Sequence, residues 1–191
     1  MSDISDIIAE ILEDHRELED YYAKFKAAQT EEEGLKWFNL FVWEISRHSI
    51  AEEIVLYSLL EQHGEEGKQL MLKSREDHRK MKEDLEDLRH EKDPKKFDEK
   101  FDLLFKDLQD HFKTEEGKDL PFIKEKLTEE QLLKAGKTFD LRKKIAPTRP
   151  HPTMPDRPAA LEQALGLFVT PIDKLRDMFT DFPNKETTNE A

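Results

Sequence analysis

The sequence predicts an all-α fold, an antiparallel up-down-up-down four-helix bundle with a C-terminal helical extension. Three observations carry this expectation. Charged residues make up 39% of the chain and glycine is scarce, a composition that favours long helices over strands. Apolar residues recur at alternating intervals of three and four along four successive stretches, the pattern of a bundled helix seam. The chain also repeats a helical hairpin internally, at a period of 63 residues.

The first helix is expected to start near Ser2 or Ser5 and to end before Thr30, with a stripe through Ile4, Ile8, Ile11, His15, Leu18, Tyr22 and Phe25. The second covers about Glu31 to Gln62 on the stripe Phe38, Phe41, Ile45, His48, Glu52, Val55 and Leu59. Gly64 and Gly67 bracket the turn into the third, which carries Met71, Ser74, His78, Met81, Leu85 and Leu88 and stops before Asp93-Pro94. The fourth runs from about Lys95 to Lys118 through Phe97, Phe101, Leu104, Leu108, His111 and Glu115, and Pro121 is expected to break it. Four long helices with short connections give a bundle over residues 1–127.

Residues 128–191 read as the extension. Thr128-Glu-Glu-Gln131 is a capping-box signature opening a helix that ends near Ile145. Pro147, Pro150, Pro152, Pro155 and Pro158 mark an extended linker. An amphipathic helix over about Ala159 to Phe179, with Pro171 as a break or kink, follows and gives way to a polar tail from Pro183. This helix is expected to brace the bundle; the alternative is a segment that faces a protein partner.

Composition narrows the partners. A net charge of −13 repels phosphates and argues against nucleic acid. With no cysteine there is no disulfide framework, thiolate metal site or thiol catalysis. No apolar run approaches the roughly 18 residues of a transmembrane segment. The opening Met1-Ser-Asp-Ile-Ser-Asp lacks the basic flank and apolar run of a signal peptide, so a cytoplasmic location is expected.

The chemistry lies in the seams. In each of the four, one histidine replaces an apolar residue: His15, His48, His78 and His111. His48 and His111 are each followed by a glutamate four residues on, Glu52 and Glu115, which stacks on the same helix face. His48 and His111 are 63 residues apart, as are Glu52 and Glu115, and as are Glu13-Asp14-His15-Arg16 and Glu76-Asp77-His78-Arg79. Antiparallel packing brings four imidazoles and two carboxylates around one mid-bundle cavity, and buried carboxylates need partners. A lone core histidine is ordinarily structural; six ligand-type residues on one period point to metal. Imidazole with carboxylate suits Fe, Mn, Zn or Cu. Two carboxylates between two histidine pairs suggest two ions, ~3.5–4 Å apart and bridged by glutamate. A position left open on such an ion is where dioxygen, peroxide or nitric oxide binds.

The motif His15 … His48-x-x-x-Glu52 … His78 … His111-x-x-x-Glu115 resembles the hemerythrin family, specifically its HHE cation-binding branch, over about Ile4 to Leu127. The resemblance implies two Fe ions in an oxo- or hydroxo-bridged centre, with Glu52 and Glu115 bridging and the four histidines as terminal ligands. It implies a protein that binds dioxygen or a related small oxidant, or senses or stores iron. The alternative is a di-iron oxidoreductase acting on peroxide or nitric oxide. A third class is a metal-free scaffold whose polar seam sets bundle register. Two departures weigh against reversible oxygen carriage. Lys82 stands where oxygen carriers have a fifth histidine, and Glu115 at i+4 replaces their usual His-x-x-x-x-Asp.

Neighbouring residues carry lesser expectations. Glu19 is read as flanking the seam in solvent and Lys82 as snorkelling outwards. Glu53 and Glu116 are either ligand-orienting or exposed. Tyr22 and Tyr57 are read as packing residues, and His63, His90 and His151 are given no role.

Overall fold

The computed structural model describes residues 5–150, together with Asp173, Arg176, Asp177 and residues 180–183. The proline-rich linker beyond Pro150, most of the expected Ala159–Phe179 helix and the tail beyond Pro183 lie outside the described residues. The described elements are all helical: α1 (Ile7–Ala27), α2 (Glu31–Ile54), α3 (Leu56–Glu61), α4 (Gly64–Arg89), α5 (Pro94–Thr114), a π turn (Glu115–Asp119), α6 (Leu120–Lys126) and α7 (Glu129–Ile145). None of these helices is long and apolar enough to cross a membrane.

Local chemistry sets most of the boundaries. Asp6, rather than either serine, starts α1 by accepting a hydrogen bond from the Ala9 N–H at 2.9 Å. Thr30 caps α2 through the Glu33 N–H, and Asp93 caps α5, whose first residue is Pro94. The Thr128–Gln131 capping box forms reciprocally at the head of α7. Gly67, expected in the turn, lies inside α4; the turn closes at Gly64, whose φ of 87° requires glycine.

Two expectations about helix continuity are corrected. The second helix is interrupted at Val55, three residues past Glu52. Pro121 does not end the fourth helix. The five residues after Thr114 widen into a π turn, in which the Leu120 N–H bonds the Glu115 carbonyl, and Pro121 falls in the first turn of α6, where its missing N–H is harmless. Val55 and Lys118 are 63 residues apart, so both hairpins disturb their ladder in the turn after the seam glutamate.

Side chains on α1 to α6 build two apolar layers. One gathers Leu18, Phe41, Ile45, Leu85, Phe101 and Leu108; the other gathers Ile7, Ile11, Ile54, Tyr57, Leu60 and Ile123. The seam histidines sit between these layers, so the polar cluster is walled by hydrocarbon at both ends. α7 lies across α1 and α2, adding Leu132, Ala135 and Phe139 to the second layer. Of the last described residues, Asp181 accepts from Asn39 Nδ2 at 3.0 Å through its carbonyl, and Asp177 and Thr180 bond Arg149.

α7 docks through Gly136, where a Cβ would fall 2.4 Å from the Ser5 carbonyl oxygen and 2.8 Å from the Asp6 carbonyl carbon. Backbone cannot yield as a flexible side chain does. Gly136→Ala is therefore expected to destabilise the fold by about 1–3 kcal/mol, despite the better helix propensity of alanine. Thermal unfolding followed by circular dichroism checks this; an unchanged or raised Tm contradicts the docking geometry.

Candidate metal centre

His15 projects from α1, His48 and Glu52 from α2, His78 from α4, His111 from α5 and Glu115 from the π turn. All six are buried, His111 the most exposed at 5%. The structure brings them together in two overlapping sets. His15, His48, Glu52 and Glu115 form one; Glu52, His78 and His111 form the other. Within each set the ligand-type atoms lie within 4.8 Å of one another. Glu52 is common to both. Its Oε1 is 3.1 Å from His48 Nε2 and its Oε2 is 3.2 Å from His78 Nε2, the reach of a carboxylate between two positions. Glu115 Oε2 lies 3.2 Å from His15 Nε2, and His78 and His111 face each other at 3.2 Å between Nε2 atoms.

Those distances do not make a satisfied network. His15 Nε2, His48 Nε2 and all four carboxylate oxygens of Glu52 and Glu115 are buried without a hydrogen-bond partner. Such groups are costly to leave unpaired, and here they converge instead of turning away. A cation that takes nitrogen and oxygen donors resolves the conflict, so the residues present fit a metal ion.

The outer nitrogens explain the convergence. Nδ1 of His15 lies 2.9 Å from Glu116, that of His48 2.9 Å from Asp14, and that of His78 3.2 Å from Glu53. Ionised carboxylates only accept, so each Nδ1 carries the proton and each Nε2 turns a lone pair inwards. The fourth pair, His111 Nδ1 to Asp77, is looser at 3.7 Å. Asp14 and Asp77 are 63 residues apart, as are Glu53 and Glu116, so the orienting carboxylates obey the same period as the inner residues. Asp14 and Asp77 stand within the repeated Glu-Asp-His-Arg run, so that period is the signal that finds them.

The remaining neighbours are placed as follows. Lys82 does not snorkel: it is 8% exposed, and its ammonium donates to Glu53 at 2.5 Å, because a buried carboxylate stands beside it. Tyr57 is more than packing, with its hydroxyl 3.1 Å from each ring nitrogen of His78. Phe112 stacks on His15 at 3.8 Å between ring centroids, and Phe139 stands edge-on to His48. Tyr22 bonds Asp102 and stacks on Phe105, away from the cluster. Glu19 pairs with Arg16 at the surface and joins neither set. His63 and His90 flank the ends of α4, and His151 lies outside the described residues. Asp119, which sequence reasoning missed, is buried on the π turn and accepts from Ser74 at 2.9 Å. Burial and the nearby Glu115 charge push its carboxyl up to about 7.

A cavity of about 310 Å³ between α4 and α5 is lined by His78, His111, Met81, Leu104 and Leu108, with Asp77 and Asp110 among its charged residues. It leads to the second set, while Phe112 and Phe139 cover the first.

In the metal-free fold, protons on His48 and His78 compensate the Glu52 carboxylate. Burial alone pushes His48 down, but the Glu52 charge and the hydrogen bond with Asp14 outweigh it and lift the imidazole from 6.5 to about 10. His78 follows the same balance, against Glu52 and Glu53, and rises to about 9. Burial pushes Glu52 up, but its histidine partners outweigh this and hold it well below 4.5. A raised histidine stabilises the fold fully below its unfolded pKa and loses that contribution as pH climbs to its folded value. A depressed carboxylate contributes above its unfolded pKa and loses this as pH falls. The metal-free protein is therefore expected to be most stable between the two unfolded values, 4.5 and 6.5, and to weaken steadily towards pH 10. Thermal melts in chelator should lose at least ~5 °C across pH 6.5 to 10; a flat profile contradicts the assignment of these protons.

The comparisons agree with this geometry. Residues 6–123 match the family model described as Hemerythrin HHE cation binding domain. An uncharacterized hemerythrin-like protein of Schizosaccharomyces pombe is 41% identical over 185 residues, covering 96% of this chain and 89% of the relative. No solved structure matches. With its helical bundle and its buried histidine–glutamate sets, the chain belongs to the hemerythrin HHE cation-binding family.

Proposed function

We propose that the chain is a non-haem di-iron protein that binds dioxygen or a related small oxidant. His15, His48, Glu52 and Glu115 would hold one iron, and His78, His111 and Glu52 the other. The observation that carries this reading is the cavity between α4 and α5, which leads from the surface to the set with fewer protein donors. Met81, Leu104 and Leu108 are its apolar residues among charged ones, and its volume of about 310 Å³ suits a small molecule rather than a bulky organic substrate. When bound, a pair of irons supplies open coordination and redox capacity. The protein's own residues divide the remaining work. Glu52 would span the two positions, and Glu53, Glu116 and Asp14 aim the imidazoles.

Turnover of peroxide or nitric oxide is the second reading, favoured by one observation. The buried Tyr57 hydroxyl lies 3.1 Å from His78, a residue of the set the cavity approaches, and offers that set a proton donor. Iron sensing draws on the same ligands. Manganese or zinc fits the same donors, and a cytoplasmic setting suits redox iron held without cysteine.

After anaerobic iron loading and exposure to air, about two irons per chain and near-ultraviolet ligand-to-iron charge-transfer absorption are expected. Glu52→Ala should fall to one iron or fewer and lose the absorption. Zinc alone, or no metal after loading, overturns the di-iron reading; catalytic peroxide loss abolished in His111→Ala favours the second reading.

Leu104→Phe tests the route. It narrows the cavity with an apolar ring and leaves every ligand in place, so iron content should stay near two while the optical response to peroxide slows at least tenfold. Unchanged kinetics exclude this route.

A further inference from the structure

We infer that Lys143 on α7 is a positioning residue for the metal centre, acting through Asp14 on His48, and that it makes the two ion positions unequal. The inference rests on the metal-binding reading above, and it concerns a helix beyond residue 123, where the family match ends.

The side chain of Lys143 is 12% exposed. Its ammonium contacts Asp14 Oδ1 and lies 2.5 Å from Glu44 Oε1. The other oxygen of Asp14 accepts from His48 Nδ1 at 2.9 Å, and His48 Nε2 lies 3.1 Å from Glu52. One line of contacts thus runs from the extension to a ligand of the first set. Asp14, Glu17 and Glu44 form a third acidic group among the described residues, and Lys143 supplies its cation. Lys143 is itself fixed: Arg47 Nε donates to its carbonyl at 3.0 Å, and the Arg47 guanidinium both bonds Glu44 and lies over Trp43. Gly136 and Phe139 seat the same helix on α1 and beside His48.

The repeat provides an internal control. Asp77, which occupies the place of Asp14 in the second hairpin, faces His111 at 3.7 Å rather than 2.9 Å. Its cation is Lys73, from the preceding turn of its own helix, and that side chain is 63% exposed. An exposed i,i+4 pair constrains little, whereas a buried lysine from another element fixes the carboxylate it meets. The first set is therefore held from outside the bundle and the second is not, on the same side as the open cavity.

Cobalt(II) is a suitable probe, because its visible absorption reports ligand geometry. Wild type, Lys143→Met, Lys143→Arg and the mirror variant Lys73→Met are titrated as full-length protein, with circular dichroism of each metal-free form. Methionine keeps most of the buried stem, so packing persists without the charge. Two equivalents are expected in wild type. Lys143→Met should weaken one of the two about 10–100-fold and change its spectrum, Lys143→Arg should recover most of that loss, and Lys73→Met should leave both within about threefold. Asp14→Asn combined with Lys143→Met should be no worse than Asp14→Asn alone, since the lysine acts through the aspartate. If Lys143→Met loses its fold, Lys143→Gln and Asp14→Asn carry the same comparison. Two equivalents bound equally by wild type and Lys143→Met, or additive losses in the double variant, overturn the coupling alone. No cobalt uptake by wild type overturns the metal reading with it.

Discussion

Two carboxylates and four imidazoles buried in hydrocarbon impose the constraint on which the rest of the structure depends. Glu52 and Glu115 are fully buried, and neither finds a hydrogen-bond donor in suitable geometry. In a medium of low polarity such charges must be met by protons or by a metal ion. The outer carboxylates act one step further out: by fixing the proton on Nδ1, they leave Nε2 free to point inwards. Their own charges are then met by Lys143, Lys82, Lys73 and Arg16. Charge thus alternates outwards from the centre, and each layer is placed by the next.

The two halves share this plan and differ in how tightly they carry it out. In the first, phenylalanine rings cover the imidazoles and α7 closes the outside. In the second, the outer carboxylate is loose, a cavity approaches, and a tyrosine hydroxyl, a lysine and a buried aspartate gather nearby. One shielded histidine pair beside one that a cavity approaches is the asymmetry on which the proposed function rests.

Much of this was legible in the sequence. The four seams, the 63-residue period and the six inner residues all follow from spacing, because helix periodicity and duplication leave direct marks on the order of residues. The orienting carboxylates were within reach by the same period, but adjacency along a helix does not reveal which neighbour across the bundle a side chain serves. Glu53 meets His78 and not His48. Lys82 misled because a lysine ordinarily carries its charge to water; only the tertiary position of Glu53 keeps it inside. Pro121 misled for a different reason. The rule that proline ends a helix assumes α geometry before it, and the π turn at Glu115 changes the register in which the ring must fit. Asp119, four residues past Glu115 on the same helix face, was within reach of the same spacing.

The crossed pairing of His15 with Glu116 and of His78 with Glu53 bears on how the molecule assembles. Each hairpin owns two histidines and a glutamate, yet each borrows from the other the carboxylate that aims its leading histidine. A half-formed chain therefore lacks the carboxylate that aims its leading histidine. Capture of a cation by the growing chain is disfavoured until the second hairpin closes on the first, and the reciprocal loan ties metal acquisition to completion of the fold.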